Sequence, residues 1–503
     1  MWMAIRRGVV VAIGLVLQIL LYLTVLLYFG EKIALIEVLY RIFGLVLVLA
    51  IIKRSRRLSV DLPWIIIILV FPVIGALLYV IIGRNVRHSS TMKNIVRSTD
   101  KNAHYLSQDD ALAREMIASR ELDQLKYLAD FTGFPATTGN EVKYYPLGDD
   151  VFPVMLEELE KAEKFIFMEY FIINNGQMWQ GVVDILERKV KEGVDVRLMY
   201  DDLGSIAMLP KDFPNQMEAK GIKCFAFNRL GPVKGVIMNN RDHRKMTIID
   251  GHTVFSGGIN LADEYINVIH PHGHWKDNGI MIKGPAVWNY TVMFLTMWNA
   301  FRLDDADFTG YKYEFAEAPA AGNGLVVPYG DTPLDDEIVG ENVYLNIINQ
   351  AKRYVWVYTP YLIIDSDMIN ALILASSRGV DVRIVVPGIP DKKIIYNVTC
   401  SYFELLVTGG VKIYTYTPGF LHSKVFVCDD KIATVGTINM DYRSLYLHFE
   451  NGNYLYEVDA VADVKADLES TFEQSHQVSL REATPGFIRG LGQSVLRLFA
   501  PLM

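Results

Sequence analysis

The chain carries one short pattern twice, and this duplication constrains its fold more than any other feature. The first copy consists of His243, Lys245, Asp250, Gly257, Gly258 and Asn260. The second copy has the same offsets, with threonine for the second glycine: His422, Lys424, Asp429, Gly436, Thr437 and Asn439. The two histidines, at positions 243 and 422, lie 179 residues apart. This agreement predicts two homologous lobes that each contribute half of one site.

Three further pairs of apolar, strand-like segments repeat between the same two regions. They are 162–170 with 351–359, 193–199 with 379–385, and 221–225 with 410–414. The segments alternate with helical stretches of ten or more residues, which is typical of parallel βαβ units. We therefore predict an α/β fold with two lobes related by pseudo-twofold symmetry, over residues 140–315 and 320–482. The Pro-, Ala- and Gly-rich stretch 316–324 is the expected linker.

The N-terminal region is strongly apolar and predicts transmembrane helices. No charged residue interrupts Gly8 to Gly30 or Leu62 to Gly83, and Ile33 to Ile52 contains only two charges. Uncharged runs of this length are long enough to cross a bilayer, and the first is too long for a cleaved signal peptide. We expect a membrane anchor of two to three apolar segments over residues 1–83 and a polar connector over residues 84–139.

The side of the membrane on which the lobes lie stays open. Basic residues at 6–7 and 53–57 fit cytoplasmic loops around two spans. A third full span would place the lobes outside, whereas the basic residues between Arg84 and Arg97 favour the inside. Pro72 and Gly75 would allow the last segment to be kinked or re-entrant.

Charge is distributed unevenly along the chain. Residues 1–100 contain 12 Lys and Arg against 4 Asp and Glu, a balance of +8; the whole chain carries −8, so residues 101–503 carry −16. Basic residues beside membrane segments suit anionic lipids. An acidic body gives no electrostatic help toward DNA or RNA, so we expect no nucleic-acid partner.

The C-terminal stretch, residues 483–503, has apolar residues at helical spacing with two arginines among them. An interfacial amphipathic helix and a helix docked on the lobes are both consistent with this pattern.

Neither the cysteines nor the clustered histidines predict a metal site. Cys224, Cys400 and Cys428 form no CxxC spacing, and the first and last lie in apolar runs typical of buried positions. His270, His272 and His274 alternate in a predicted loop, where a zinc site would still need a fourth ligand and a scaffold. The absence of Walker A and obvious dinucleotide fingerprints argues against a nucleotide cofactor.

The duplicated motif itself predicts phosphodiester chemistry. His243 and Lys245 lie at i and i+2, so on a strand they share a face, and Asp250 with the following glycine predicts a hairpin turn. Two lysines and two asparagine amides at one point suit a phosphate oxyanion. Two histidines on opposite sides suit displacement at phosphorus, one as nucleophile and one as acid. Asp250 and Asp429 are expected to support the turns.

The H-x-K-x4-D pattern resembles the signature of the phospholipase D superfamily. The resemblance covers roughly residues 140–480 and narrows to bacterial cardiolipin synthases through the apolar N-terminus, the stretch 260–265, Trp275 to Asp277, and the stretch 439–444. Its fold would be two phospholipase D-type lobes behind transmembrane helices. Its activity would be transphosphatidylation, in which two phosphatidylglycerols give cardiolipin and glycerol through a phosphohistidine.

The same resemblance implies roles for individual residues. It makes His243 the nucleophile and His422 the general acid and then base, with Glu450 as a carboxylate that orients a histidine. Lys245, Lys424, Asn260, Asn439 and the backbone of Gly258 would bind the phosphate, although the superfamily commonly has serine at position 258. It implies a multi-pass protein of the bacterial cell membrane, phosphatidylglycerol and membrane lipids as partners, and neither cofactor nor metal.

Other functions remain open from the sequence alone. A hydrolytic phospholipase D or another phosphatidyltransferase would use the same residues. A membrane-tethered nuclease is disfavoured by the acidic lobes, and a non-catalytic scaffold by the intact pair of motifs. The sequence does not fix the oligomeric state.

Overall fold

The computed structural model describes residues 33–55, 58–79, 90–229, 240–315 and 324–502. The chain divides into two compact units. Of the described residues, those up to 79 and those from 495 belong to one unit, and residues 90–229, 240–315 and 324–494 belong to the other.

The described residues between 33 and 79 form three helices of the N-terminal unit: α1 (Ile33–Arg54), α2 (Leu58–Val70) and α3 (Pro72–Leu78). Their contacts centre on Val48, Ile51, Ile65 and Ile68. The third predicted apolar segment is divided because α3 begins at a proline, which suits the first position of a helix and disfavours its interior. Among the described residues, no helix combines the length and apolarity needed to span a membrane. The predicted segment from residue 8 to residue 30 lies outside those residues.

The predicted polar connector is helical in its described part. Three helices occupy this region: α4 (Ser90–Asn102), α5 (Asp110–Ala118) and α6 (Asp123–Thr132). The Asp109 carboxylate caps α5 by accepting two backbone N–H groups. The Ser98 hydroxyl of α4 donates to the carbonyl oxygen of Thr296 at 2.6 Å. The stretch between anchor and lobes is therefore packed against the lobes.

The first lobe is built on a seven-stranded sheet in the order β1-β9-β7-β6-β2-β3-β4. Its strands are β1 (Glu141–Tyr145), β2 (Phe165–Tyr170), β3 (Asp195–Asp201), β4 (Lys223–Phe227), β6 (Met246–Ile249), β7 (Thr253–Gly257) and β9 (Gly279–Lys283). Its helices are α7 (Gly148–Glu160), α8 (Gln177–Lys191), α9 (Asp202–Ser205), α10 (Phe213–Ala219) and α11 (Val287–Phe301).

The second lobe repeats this order as β10-β17-β16-β15-β11-β12-β13 and adds β18 at the edge. Its strands are β10 (Leu325–Asp331), β11 (Tyr354–Tyr358), β12 (Asp381–Pro387), β13 (Lys412–Tyr416), β15 (Val425–Cys428), β16 (Ile432–Gly436), β17 (His448–Tyr456) and β18 (Ser475–Gln477). Its helices are α12 (Val339–Gln350), α13 (Ser366–Ser377), α14 (Lys393–Cys400), α15 (Phe403–Thr408), α16 (Tyr442–Tyr446), α17 (Ala460–Glu473) and α18 (Leu480–Ala483). A last helix, α19 (Phe487–Leu498), follows.

The strand directions agree with the repeat seen in the sequence. β2, β3 and β4 are mutually parallel, as are β11, β12 and β13, so the predicted βαβ units are confirmed. The predicted hairpin between β6 and β7 is also confirmed, with Asp250 and Gly251 at φ values of 51° and 74°. Cys224 and Cys428 are buried and unpaired, as the sequence predicts.

Two short parallel pairings join the lobes. The short strands that form them, all except β17, are here called the exchange strands. β5 (Arg241–Asp242) of the first lobe pairs with the start of β17 in the second. β14 (Gly419–Leu421) of the second lobe pairs with β8 (His274–Lys276) of the first. The histidine of the first motif directly follows β5, and the histidine of the second motif directly follows β14. The pairings therefore place both histidines at the junction between the lobes.

Candidate active site

Each motif histidine lies in a three-residue segment between an exchange strand and the hairpin of its own lobe. His243 follows β5 and precedes β6, and His422 follows β14 and precedes β15. The His243 N–H donates to the carbonyl oxygen of Phe449 at 2.9 Å, and the His422 N–H donates to that of Lys276 at 2.7 Å. The backbone of each histidine is thereby fixed to the opposite lobe.

The carboxylates that face the imidazoles are also exchanged between the lobes. Nδ1 of His243 lies 2.9 Å from both carboxylate oxygens of Glu450, which belongs to the second lobe. Nδ1 of His422 lies 2.6 Å from Oδ2 of Asp277, which belongs to the first. An ionised carboxylate only accepts hydrogen bonds, so Nδ1 carries the proton and Nε2 keeps its lone pair. Nζ of Lys424 also lies 2.8 Å from Nδ1 of His422, and it donates instead to the His422 carbonyl oxygen. Each lobe thus orients the imidazole of the other.

The sequence reasoning assigned no role to Asp277, although a signal for it exists. Asp277, Asn278 and Gly279 repeat as Glu450, Asn451 and Gly452, 173 residues later. The carboxylates begin these triplets, and the glycines that end them pair with equivalent glycines: Gly279, the first residue of β9, with Gly257, and Gly452 of β17 with Gly436. Aligning the lobes beyond the H-x-K segments would have paired the two carboxylates.

Burial keeps both imidazoles neutral at pH 7. Desolvation lowers the pKa of His422 to about 4, with Lys424 adding to the effect and Asp277 opposing it. Desolvation, assisted by Lys245 and Lys424, lowers the pKa of His243 well below its ordinary value. Neutral imidazoles with a free Nε2 are bases and nucleophiles, as displacement at phosphorus requires.

The two motif lysines are buried and held beside the histidines. Nζ of Lys245 donates to the carbonyl oxygen of His243 at 2.6 Å, and Nζ of Lys424 donates to that of His422. Desolvation lowers the pKa of Lys245 to about 7 and that of Lys424 to about 8. An ammonium with a depressed pKa is poorly stabilised by its surroundings, so a phosphate anion would be a favourable partner for either lysine.

The second position of each Gly-Gly or Gly-Thr pair faces one of the two carboxylates. The hydroxyl of Thr437 donates to Oε2 of Glu450. At Gly258 an added Cβ would lie 2.0 Å from Oδ1 of Asp277, so glycine leaves room for this carboxylate. The Gly258 N–H donates to the carbonyl oxygen of Asn278 at 3.2 Å. Phosphate binding by the Gly258 N–H stays a prediction.

The two motif asparagines differ in their surroundings. Oδ1 of Asn260 accepts the N–H of Ile172 at 2.9 Å, and its Nδ2 donates to the Tyr265 hydroxyl at 2.7 Å. Oδ1 of Asn439 is buried without a hydrogen-bond partner. Phosphate binding by the two amides stays a prediction, and it would have to use the Nδ2 donors.

Asp250 and Asp429 bind backbone rather than histidine. Oxygens of Asp250 accept three N–H groups at the start of β2, from Glu163, Lys164 and Phe165, at 2.7–2.8 Å. Asp429 makes the same three contacts at the start of β11, with Lys352, Arg353 and Tyr354, at 2.7–2.9 Å. These contacts match the expected support of the turns.

A third imidazole, which the sequence reasoning did not single out, lies beside His243. The rings of His448 and His243 are 5.6 Å apart between centroids. Within the described ranges, His243, His448 and Glu450 form the single group of metal-ligating side chains with all ligand atoms within 4.8 Å of one another. The loop histidines form no such group there; Nδ1 of His274 lies 2.9 Å from the Tyr416 hydroxyl.

Comparison with known proteins decides the family. Residues 155–298 and 344–474 match the family model described as "Cardiolipin synthase, PLD-like domain". The chain belongs to this family. Residues 42–84 match a second model, "Phospholipase_D-nuclease N-terminal". Membership makes the chain a phosphatidyltransferase of the phospholipase D superfamily.

Several curated relatives of the family extend over nearly the whole chain. A cardiolipin synthase of Alkalihalophilus pseudofirmus is 32% identical over 474 residues, which cover 93% of this chain and 94% of the relative. Cardiolipin synthase 2 of Bacillus anthracis is 33% identical, covering 90% of this chain and 88% of the relative. An uncharacterised protein of Streptococcus mutans is 44% identical, covering 88% and 96%.

A solved structure supports the fold independently of sequence. The crystal structure of phosphatidylserine synthase from Haemophilus influenzae superposes with a TM-score of 0.55 at 15% identity, covering 75% of this chain and 98% of that one. This chain therefore shares its fold with that synthase.

Proposed function

We propose that the chain is a cardiolipin synthase, which transfers a phosphatidyl group from one phosphatidylglycerol to a second and releases glycerol. The observation that carries the proposal is the pair of neutral imidazoles, each oriented by a carboxylate of the opposite lobe. Two such groups serve a two-step exchange in which one imidazole is the nucleophile and the other transfers the proton.

The steps follow from the tautomers and balance without a further reactant. Nε2 of His243 attacks phosphorus of the first lipid, and a phosphorus–nitrogen bond forms as the bond to the glycerol oxygen breaks. The anionic phosphate raises the pKa of His422 in the complex, so this ring takes up a second proton from solvent, gives it to that oxygen, and glycerol leaves. The terminal hydroxyl of the second phosphatidylglycerol then attacks phosphorus, losing its proton to His422. The phosphorus–nitrogen bond breaks, and cardiolipin is formed.

Burial of the site favours transfer over hydrolysis. His243 and His422 are only 7% and 8% exposed, and the two lysines are 1% exposed. A phosphohistidine in such a site meets little water, so an alcohol bound in place can compete for phosphorus. Lys245 and Lys424 would balance the charge of the phosphate through both steps.

The N-terminal unit would hold the site at a membrane through several spans. Its helices expose large apolar side chains, among them Leu39, Val46, Leu69 and Val70, each more than half exposed. Residues 42–84 match the N-terminal model of the superfamily, which supports the same placement. Exposed apolar surface of this kind is stable when lipid covers it.

The test uses the full chain in detergent with phosphatidylglycerol as its single lipid substrate. Cardiolipin and free glycerol should appear in equal amounts. Phosphatidic acid as the sole lipid product would instead identify a hydrolytic phospholipase D.

The roles of the histidines are tested by quenching the reaction within the first turnover and locating the adduct by peptide mass spectrometry. The phosphatidyl adduct should lie on His243, and an adduct on His422 would reverse the two roles. His243→Asn and His422→Asn should each lower the rate by about 1000-fold or more. The matched control is His270→Asn in an exposed loop; a loss as large as in the other two variants would contradict the assignment.

A further inference from the structure

The ring that covers each motif histidine differs in chemistry between the lobes. Trp275 packs on His422 with ring centroids 5.7 Å apart and an interplanar angle of 42°. His448 packs on His243 at 5.6 Å and 44°. Trp275 and His448 each stand two residues before the orienting carboxylate, so they are equivalent positions of the repeat. Packing explains a ring at both places but gives no reason for the imidazole at one of them.

The polar atoms of His448 are buried and have no hydrogen-bond partner. Its side chain is 10% exposed, and both Nδ1 and Nε2 are without a partner. Nδ1 lies 3.7 Å from Oε1 of Glu450, which is beyond hydrogen-bond distance. A buried imidazole with two unused nitrogens is costly unless a ligand uses one of them.

We propose that His243, His448 and Glu450 form an inhibitory zinc site. Zinc binds imidazole nitrogen and carboxylate oxygen at ~2.0–2.2 Å, so two ligands of a tetrahedral ion lie roughly 3.3 Å apart. The nitrogen–oxygen distances from His243 and His448 to Glu450, 2.9 Å and 3.7 Å, lie on either side of that value. Two imidazoles and a carboxylate suit zinc better than magnesium or calcium, which prefer oxygen ligands.

The hydroxyl of Thr437 completes the site behind the carboxylate. It donates to Oε2 of Glu450, which leaves Oε1 facing His448. Hydrogen bonds of this kind hold metal-ligating carboxylates in place.

Bound zinc would remove the nucleophile of the proposed reaction, and this consequence rests on the proposed function. Zinc would need the lone pair of Nδ1 of His243, so the ring would change tautomer, losing the Nδ1 proton to solvent and taking up one proton at Nε2. The neutral ring then carries its one proton on Nε2, which has no lone pair left to attack phosphorus. The proton count of the ring is unchanged, and no electron is transferred.

The other half of the site cannot bind zinc in the same way. Trp275 offers no ligand at the position of His448, and Nζ of Lys424 lies 2.8 Å from Nδ1 of His422. An ammonium at that distance would repel a cation. The asymmetry between the lobes provides a control within one molecule.

The experiment measures zinc binding to the full, metal-free chain in detergent by equilibrium dialysis. One equivalent should bind, and magnesium at the same concentration should not compete. His448→Phe keeps the ring and removes the ligand, so it should raise the dissociation constant about 100-fold or more. Trp275→Phe is the matched control and should bind zinc as the wild type does. Failure of the wild type to bind, or equal binding by His448→Phe, would overturn the site.

Inhibition is measured as each protein's rate in zinc divided by its own zinc-free rate with phosphatidylglycerol. Zinc should lower the rate of the wild type and of Trp275→Phe at least 10-fold. At the same zinc concentration, His448→Phe should keep its zinc-free rate. Zinc that binds through His448 without slowing the wild type would overturn the inhibitory role. Zinc binding that depends on His448 in a chain that makes no cardiolipin would leave the site standing and refute the proposed function.

Discussion

The second glycine of the first motif leaves room for the carboxylate that orients the opposite histidine. A Cβ at position 258 would lie 2.0 Å from Asp277, so Gly258→Ala must displace that side chain from His422. We expect a loss of about 100-fold in the rate of cardiolipin formation, because a catalytic group misplaced by ~1 Å has an effect of this size. The measurement is the initial rate with phosphatidylglycerol.

Gly310→Ala is the control for this substitution, since a Cβ there meets nothing within 4 Å. The serine that the superfamily commonly has at position 258 should also be harmful in this chain. Full activity in Gly258→Ser would show that Asp277 does not need its observed position.

The lowered pKa values of the two motif lysines predict how the activity depends on pH. Burial lowers the pKa of Lys245 to about 7 and that of Lys424 to about 8. As the pH rises through this range the free enzyme loses the positive charges that attract a phosphate, so kcat/KM should fall. In the complex the anion favours the charged lysines, so the alkaline fall in kcat should lie at higher pH. A kcat/KM that stays level to pH 10 would contradict the phosphate-binding role.

In each lobe, an aspartate in the hairpin turn after the motif histidine accepts hydrogen bonds from the backbone at the start of a neighbouring strand. Asp250 accepts three backbone N–H groups at the start of β2 and is 5% exposed. Asp250→Asn replaces a charged acceptor by a neutral one, which should lower the free energy of unfolding by about 2–4 kcal/mol. Urea denaturation measures this. Asp212→Asn, at an exposed position, should change it by less than about 0.5 kcal/mol.

The length of an element decided whether the sequence could predict it. Strands of five to seven residues such as β2, β3 and β12 appear as apolar runs and repeat between the lobes, so they were predicted. The exchange strands have two or three residues, and such lengths carry no periodicity. Their pairing brings Asp277 and His448 to the histidines, which is why neither residue was assigned a role from the sequence.

The apolar N-terminus shows a second limit of prediction. Hydropathy describes Leu62 to Gly83 as one uncharged run, yet α2 ends at Val70 and α3 begins at Pro72. A proline lacks the N–H that a continuing helix needs, and this backbone effect is invisible to a sum of side-chain hydropathies. The proposed anchor therefore depends on where its helices are interrupted as well as on how apolar they are.

A buried ion pair connects the two lobes beside the site. It therefore contributes both to the stability of the catalytic unit and to the position of a catalytic residue. Nζ of Lys276, beside Asp277, lies 2.6 Å from Oδ1 of Asp467 on α17, and the Tyr144 hydroxyl donates to Oδ2 at 2.8 Å. Both charged side chains are at most 6% exposed. The carbonyl oxygen of Lys276 accepts the His422 N–H, so this junction also fixes a catalytic backbone.

Asp467→Asn should therefore impair folding and catalysis together. It leaves Lys276 buried without a counter-charge, which costs about 3–5 kcal/mol. The matched control is Asp463→Asn on the exposed face of the same helix. The midpoint of urea unfolding and the rate of cardiolipin formation below that midpoint should both fall in Asp467→Asn and stay unchanged in Asp463→Asn. An unfolding midpoint equal to that of the wild type would mean that the lobes associate without this pair. A lower midpoint with an unaltered rate would mean that His422 keeps its place independently of the junction.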